Sequence, residues 1–195
     1  MNSDPHGDPF DTIEKRTAVI LDLFQGTDPQ TFIDSSNLYI HFIDAVYALD
    51  PSARFILSVR HGKDFVRSAL SRGWHSRSLY GNVPQRGDDY FGRWAGMDPL
   101  ERNAWIWVHR NKKALEGLSK VTEAQKLIVK IEEIEQLLPL IENFSGVEIK
   151  DKRKAVGKQN ENPSFDFPPR EEWTSDMNRR FDAIAGGMMK VFNYG

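Results

Sequence analysis

The sequence of 195 residues contains no cysteine. Disulfide bonds, cysteine-ligated zinc sites and thiol catalysis are therefore excluded. No run of apolar residues approaches the length of about 18 that a membrane-spanning helix needs. Residues 1–11 lack the basic and apolar regions of a signal peptide. These absences predict a cytoplasmic protein without a membrane span.

The chain also lacks a strong charge of either sign. Its 26 lysines and arginines against 28 aspartates and glutamates give a formal net charge of −2. This balance excludes a strongly basic nucleic-acid binder but is compatible with a local basic site. Hydrophobic residues make up 39% of the chain, which is enough for a folded core. The length predicts a single domain over residues 1–195, with residues 1–10 as a loose tail.

Helical and strand patterns alternate along the chain. Apolar residues recur at helical spacing in four segments: 12–24, from 34–36 to 49, from Pro99 to 118, and from Thr174 to 191. A helix is also predicted at about residues 63–72, after the strand at 54–60. A further helical segment after residue 131 is predicted to restart at Pro139. Strands are predicted at residues 31–34, 54–60 and 127–131. This order predicts an α/β fold with a parallel sheet flanked by helices.

One segment carries a pattern typical of an anion-binding site. The apolar strand 54–60 ends at Arg60, and a tight turn at residues 61–63 leads into a helix. In parallel α/β sheets ligands bind at the carboxyl ends of strands, and the free N–H groups of a helix start attract phosphate. Arg60 can hold a phosphate through two parallel hydrogen bonds. Ser68, within two helical turns, can add a hydroxyl.

These residues resemble a known motif. Arg60-x-Gly62-x-Asp64-x-x-x-Ser68 is similar to R-x-P-x-D-x-x-x-S, the 3′-phosphate motif of sulfotransferases that depend on PAPS (3′-phosphoadenosine 5′-phosphosulfate). Four further segments resemble family segments in the same order: residues 32–39 the "DKSP-x-Y" segment, 51–56 "PDAKFI", 127–134 "VRYEDL", and 173–194 the closing helix. The resemblance covers about residues 30–194, most of the chain.

The resemblance implies a P-loop NTPase-like sulfotransferase fold in which PAPS lies across the strand ends. It implies that Arg60 and Ser68 bind the 3′-phosphate. The donor co-substrate PAPS would give its sulfuryl group to a hydroxyl or amine of a small-molecule or glycan acceptor. Such a reaction needs no metal, because the enzyme acts by positioning the two groups and stabilising charge on the sulfuryl group.

One part of the family pattern is missing. The family has a Gly-rich "PRSGT" loop that holds the 5′-phosphosulfate, and nothing in residues 1–33 resembles it. Ser35 also stands in place of the "DKS" lysine. Two interpretations follow: the chain lacks an N-terminal segment that carries the loop, or it is a divergent member with a degraded donor site. The alternative function is a non-catalytic nucleotide- or anion-binding or interaction domain that keeps the fold.

The candidate phosphate ligands also have structural interpretations. Arg60 could be a structural arginine paired with Asp64 or Glu132. The Ser68 hydroxyl could bond to the backbone of its own helix, as helical serines often do. Asp64 is better explained as a negative charge that stabilises the start of a helix than as a residue that takes part in the chemistry.

The sequence assigns no catalytic base, although the acceptor needs one. His41 is interpreted as a surface or half-buried histidine, and Asp34 as a helix cap. His61 is interpreted as a residue that faces solvent or phosphate.

Two loops remain open to two interpretations each. In the loop at residues 73–98, the aromatic residues and arginines are typical of an acceptor site. Alternatively, the aromatic residues only pin the loop to the core. The basic residues of 150–170 resemble a family loop that touches the nucleotide, or form a solvated face.

Overall fold

The computed structural model describes residues 10–24, 33, 35, 37–77, 81–152 and 165–194. Its helices and strands follow one another in this order: α1 (Ile13–Phe24), α2 (Ile43–Leu49), β1 (Phe55–Val59), α3 (Gly62–Ser71), α4 (Pro99–Leu118), β2 (Lys126–Lys130), α5 (Ile134–Ser145) and α6 (Ser175–Val191). Short 3-10 turns connect several of them. None of the described helices is long and apolar enough to cross a bilayer.

β1 and β2 form a parallel pair, as the sequence predicts. Phe55 lies opposite Lys126, and Val59 opposite Lys130. The third predicted strand, residues 31–34, lies outside the described residues apart from Ile33. The described part of the chain is therefore mixed and mostly helical around a small two-stranded parallel sheet, in agreement with the predicted α/β class.

The longest helix, α4, lies at the centre of the core. Its start is fixed locally: the Asp98 carboxylate accepts a hydrogen bond from the Glu101 amide at 2.9 Å, and the Glu101 carboxylate accepts one from the Asp98 amide at 3.0 Å. Pro99 occupies the first turn, where no amide donor is needed. Side chains from β1, α3, α4 and α6 then form one apolar cluster: Val59, Val66, Leu100, Ala104, Trp107, Trp173, Phe181, Ala185, Met189 and Phe192.

Two helix predictions are wrong in detail. The helix predicted to run from residues 34–36 to 49 is a 3-10 turn at Asn37–His41 followed by α2. α5 continues through Pro139, where the sequence predicts a restart. Proline removes a single amide donor, and the buried Leu138 beside it keeps this helix packed. Tertiary packing therefore outweighs local propensity in α5.

The long loop at residues 73–98 packs against the core through its aromatic residues. The Trp94 ring meets that of Trp105 edge-on at a centroid distance of 5.2 Å. Tyr90 and Trp94 also contact the buried cluster formed by Met97, Trp105 and Ile106. Of the two interpretations of this loop, the described side chains of Tyr90 and Trp94 support the one in which its aromatic residues pin it to the core.

Candidate functional site

The turn between β1 and α3 presents Arg60 to solvent. The Arg60 carbonyl accepts a 3.0 Å hydrogen bond from the indole of Trp107. The next amide, that of His61, donates to the Glu132 carboxylate at 2.7 Å. The exposed Arg60 guanidinium makes no hydrogen bond or ion pair with any described residue. The backbone is therefore fixed on both sides of Arg60 while its side chain stays available.

Tyr194 holds the same turn from the other side. Its hydroxyl lies 2.8 Å from Glu132 Oε2 and 3.2 Å from the carbonyl oxygen of Val59. Burial, followed by the nearby Glu132 carboxylate, raises the pKa of the Tyr194 phenol, so this hydroxyl stays protonated and can donate. Burial would raise the pKa of Glu132, but the hydrogen bonds from His61 and Tyr194 outweigh it and lower that pKa. We call Trp107, Glu132 and Tyr194 the turn clamp.

Neither acidic residue that could neutralise Arg60 does so. Asp64 accepts a hydrogen bond from Arg170 at 3.2 Å. Glu132 belongs to the turn clamp, where its oxygens accept from His61 and Tyr194. The structural interpretation of Arg60, as the partner of one of these carboxylates, is therefore wrong.

Arg60 and Ser68 line one cleft. It has a volume of about 1010 Å³ and runs beside β1, with walls from α2, α3 and α4. The half-buried Ser68 hydroxyl makes no hydrogen bond to a described residue, its own helix backbone included. The charged residues that line the cleft are four arginines and one acid: Arg54, Arg60, Arg72, Arg110 and Asp50. This excess of cations makes the cleft favourable for anions.

The comparison with known proteins agrees with the α/β fold described above. No family model matches the chain, and no curated protein matches it. A solved structure, the sulfotransferase domain from the curacin biosynthetic pathway, is similar to it with a TM-score of 0.52 at 15% identity. The described fold is sulfotransferase-like. The match covers 74% of this chain and 48% of the solved one, so this chain spans about half the length of that structure. At this identity the similarity shows the fold alone.

His61 caps α3 in this sulfotransferase-like fold. Its Nδ1 accepts a hydrogen bond from the Lys63 amide at 3.3 Å. Burial, followed by the charge of Arg170, lowers the pKa of His61, which favours the neutral ring that accepts this bond. The ring is half-buried and closes the first turn of the helix, and the prediction that His61 faces solvent or phosphate stays a prediction.

His41, another candidate for a catalytic base, is not brought to the cleft. His41 is half-buried in the 3-10 turn Asn37–His41 and does not line the cleft beside β1. Asp34 lies outside the described residues, as do residues 153–164 of the late basic loop. Lys152 of that loop pairs with Glu142 at 3.2 Å. The described residues hold no cluster of three or more acidic or histidine side chains that could bind a metal ion.

Sequence reasoning missed Arg72 and Arg110, which line the cleft together with Arg60. A signal for Arg72 was present, because a residue four positions after Ser68 shares its face of α3. Arg110 carried no such signal. Its place in the cleft depends on how α4 packs against α3 and β1, which local spacing does not specify.

Proposed function

We propose that this chain is a sulfotransferase-like protein that uses PAPS as its donor and sulfates a hydroxyl or amine of a small-molecule or glycan acceptor. The observation that carries the proposal is the Arg60 guanidinium at the carboxyl end of a parallel strand, which no described residue pairs and which lies in one cleft with Ser68. The sulfotransferase-like fold supports it. A P-loop NTPase-like placement of the donor across the strand ends belongs to the same proposal.

In this proposal Arg60 and Ser68 bind the 3′-phosphate of the donor. The guanidinium offers two parallel N–H donors to the phosphate oxygens, and the Ser68 hydroxyl offers a third. The turn clamp holds the Arg60 backbone, so little backbone freedom is lost on binding. Transfer breaks the S–O bond to the 5′-phosphate and forms a bond from the acceptor atom to sulfur, while the acceptor proton leaves to a base that is not assigned.

The expected contributions of Arg60 and Ser68 to donor affinity are large enough to measure. A hydrogen bond to a charged group contributes roughly 1.5–3 kcal/mol. Because each ~1.4 kcal/mol is tenfold in affinity, losing two bonds at Arg60 weakens donor binding by about 10²–10⁴-fold. Losing the one bond from Ser68 weakens it by about 10–10²-fold.

Calorimetric titration with PAP, the desulfated donor product, tests the donor site. We expect the wild type to bind PAP, Arg60→Ala to lose most of the affinity, and Ser68→Ala to lose less. Arg179→Ala is the matched control, because Arg179 lies on α6, pairs with Asp176 and does not line the cleft. The donor site is refuted if the wild type does not bind PAP, or if Arg60→Ala and Arg179→Ala bind it equally well.

A second measurement separates an enzyme from a binding domain. The wild type is incubated with sulfur-labelled PAPS and a panel of sugars and small alcohols, and transfer of label is followed. Transfer that Arg60→Ala abolishes supports the enzyme. PAP binding without transfer to any member of the panel supports the alternative, a nucleotide-binding domain that keeps the fold without the chemistry.

A further inference from the structure

The cleft contains two further arginines that are not part of the Arg60 turn. Arg72 follows the last residue of α3, and Arg110 lies on α4. At 1.5 Å per residue, α3 carries Arg72 about 15 Å along its axis from Gly62. Arg72 also lies one helical turn beyond Ser68 on the same face. The two ends of α3 therefore present separate cations to one cleft.

Arg110 is a half-buried cation without a counter-charge. It donates to the buried Asn82 side chain at 2.7 Å, and its guanidinium carbon lies 4.6 Å from the centre of the Trp74 ring. Its Nε is buried and has no hydrogen-bond partner, and no carboxylate of the described residues pairs with it. Burial lowers the pKa of Arg110, the direction expected of a desolvated cation. A buried charge without an opposite charge is unfavourable.

Arg72 is the accessible member of the pair. Its side chain is exposed and makes no hydrogen bond or ion pair within the described part of the chain. Asp50, the one acid among the cleft-lining residues, lies between α2 and β1 and accepts hydrogen bonds from Ser52. Neither arginine is therefore neutralised by a described residue.

We propose that Arg72 and Arg110 form a second anion subsite, which binds a carboxylate, sulfate or phosphate group carried by the acceptor. Guanidinium groups recognise all three anions through paired N–H donors. Trp74 and Asn82 hold the Arg110 guanidinium in place before the anion arrives, which lowers the cost of binding. Arg60 and Arg72 lie at opposite ends of α3, with Ser68 between them, and the separation of about 15 Å along the axis favours a second ligand over the other phosphate of the donor. The identity of that ligand as the acceptor rests on the proposed function.

Titration with inorganic sulfate at constant ionic strength tests the subsite, with the protein saturated with PAP. We expect sulfate to bind beside PAP, and Arg72→Ala and Arg110→Gln each to weaken its binding about tenfold or more, the loss of one or more charged hydrogen bonds. Arg179→Ala is expected to bind sulfate as the wild type does. Arg72→Ala is the decisive variant, because the Arg72 side chain makes no hydrogen bond or ion pair with a described residue.

Two results would overturn the subsite. If PAP displaces sulfate and Arg72→Ala weakens PAP binding, these arginines belong to the donor site. If neither variant changes sulfate binding, they hold no anion. Repeating the sulfate titration in the Arg60→Ala variant keeps the test independent of the donor. One combination of results separates the two proposals: the wild type fails to bind PAP, but sulfate binding to Arg60→Ala still depends on Arg72. That combination supports the anion subsite and refutes only the proposed function.

Discussion

Gly62 is surrounded by three core side chains. A Cβ added to it would lie 2.7 Å from Phe181 Cζ, 3.1 Å from Met189 Sδ and 3.2 Å from Trp107 Cε3. The proline of the family motif also carries a Cβ, so it would meet the same atoms at this backbone position. The departure from the motif therefore reflects how closely α6 packs on the start of α3.

Replacing Gly62 tests this packing. We expect Gly62→Ala to lower the free energy of unfolding by about 1–3 kcal/mol, the usual cost of an overpacked core. Gly187→Ala, on α6 with nothing within 4 Å of its added Cβ, is expected to raise it by up to about 1 kcal/mol through helix propensity. Urea denaturation measures both. Equal effects of the two variants would contradict the close approach.

The β1–α3 turn is the element on which the candidate site depends. Its backbone is held by the turn clamp, whose members lie on α4, after β2 and after α6. A phosphate-binding arginine needs such support, because a loosely held side chain loses affinity to conformational entropy. The clamp should therefore affect ligand affinity as well as stability.

Removing the Tyr194 hydroxyl tests the clamp. We expect Tyr194→Phe to weaken PAP binding by about tenfold while costing roughly 0.5–1.5 kcal/mol of stability, the net value of a hydrogen bond. Tyr47→Phe is the control, since it loses one hydroxyl contact, 3.3 Å to Gln125, away from the cleft. Calorimetry and urea denaturation give the two readouts. The clamp has no positioning role if both variants bind PAP as the wild type does.

Elements encoded by local patterns were predicted from the sequence. The strand predicted at 54–60 is β1 at Phe55–Val59, and α4 begins at Pro99 as expected. The partners of the turn clamp could not be predicted in this way. Glu132 lies 71 residues from His61 and 62 from Tyr194, and periodicity and capping signals report only on neighbours within a few residues. The same limit hid Arg110, whereas Arg60 and Ser68 belong to one local motif.

The stability of the whole molecule should depend on pH through His109. Its ring stacks on Trp105 at a centroid distance of 4.6 Å, and burial lowers its pKa from 6.5 to about 4. Between these two values the unfolded chain binds a proton that the folded chain does not. Stability is therefore complete above about pH 6.5 and is lost as the pH falls towards 4.

Comparison with His109→Gln isolates this contribution. Between pH 7.5 and pH 5, we expect the wild type to lose about 2 kcal/mol more unfolding free energy than the variant, from linkage at these pKa values. Urea denaturation at the two pH values measures the difference. Parallel losses in both proteins would mean that His109 titrates normally in the folded state. Other groups with shifted pKa values, such as Glu132 and Asp44, affect both proteins alike.

The clamp on the Arg60 turn has a consequence for biosynthesis. The contact between Val59 and Tyr194 joins residues 135 positions apart, so the ribosome adds Arg60 long before the residue that completes its support. Contacts of such sequence separation form late, because a long loop has to close first. A nascent chain therefore exposes β1 and its arginine while the turn is still loose. The support that the proposed phosphate site draws from Tyr194 is therefore completed only after residue 194 has been made and folded back.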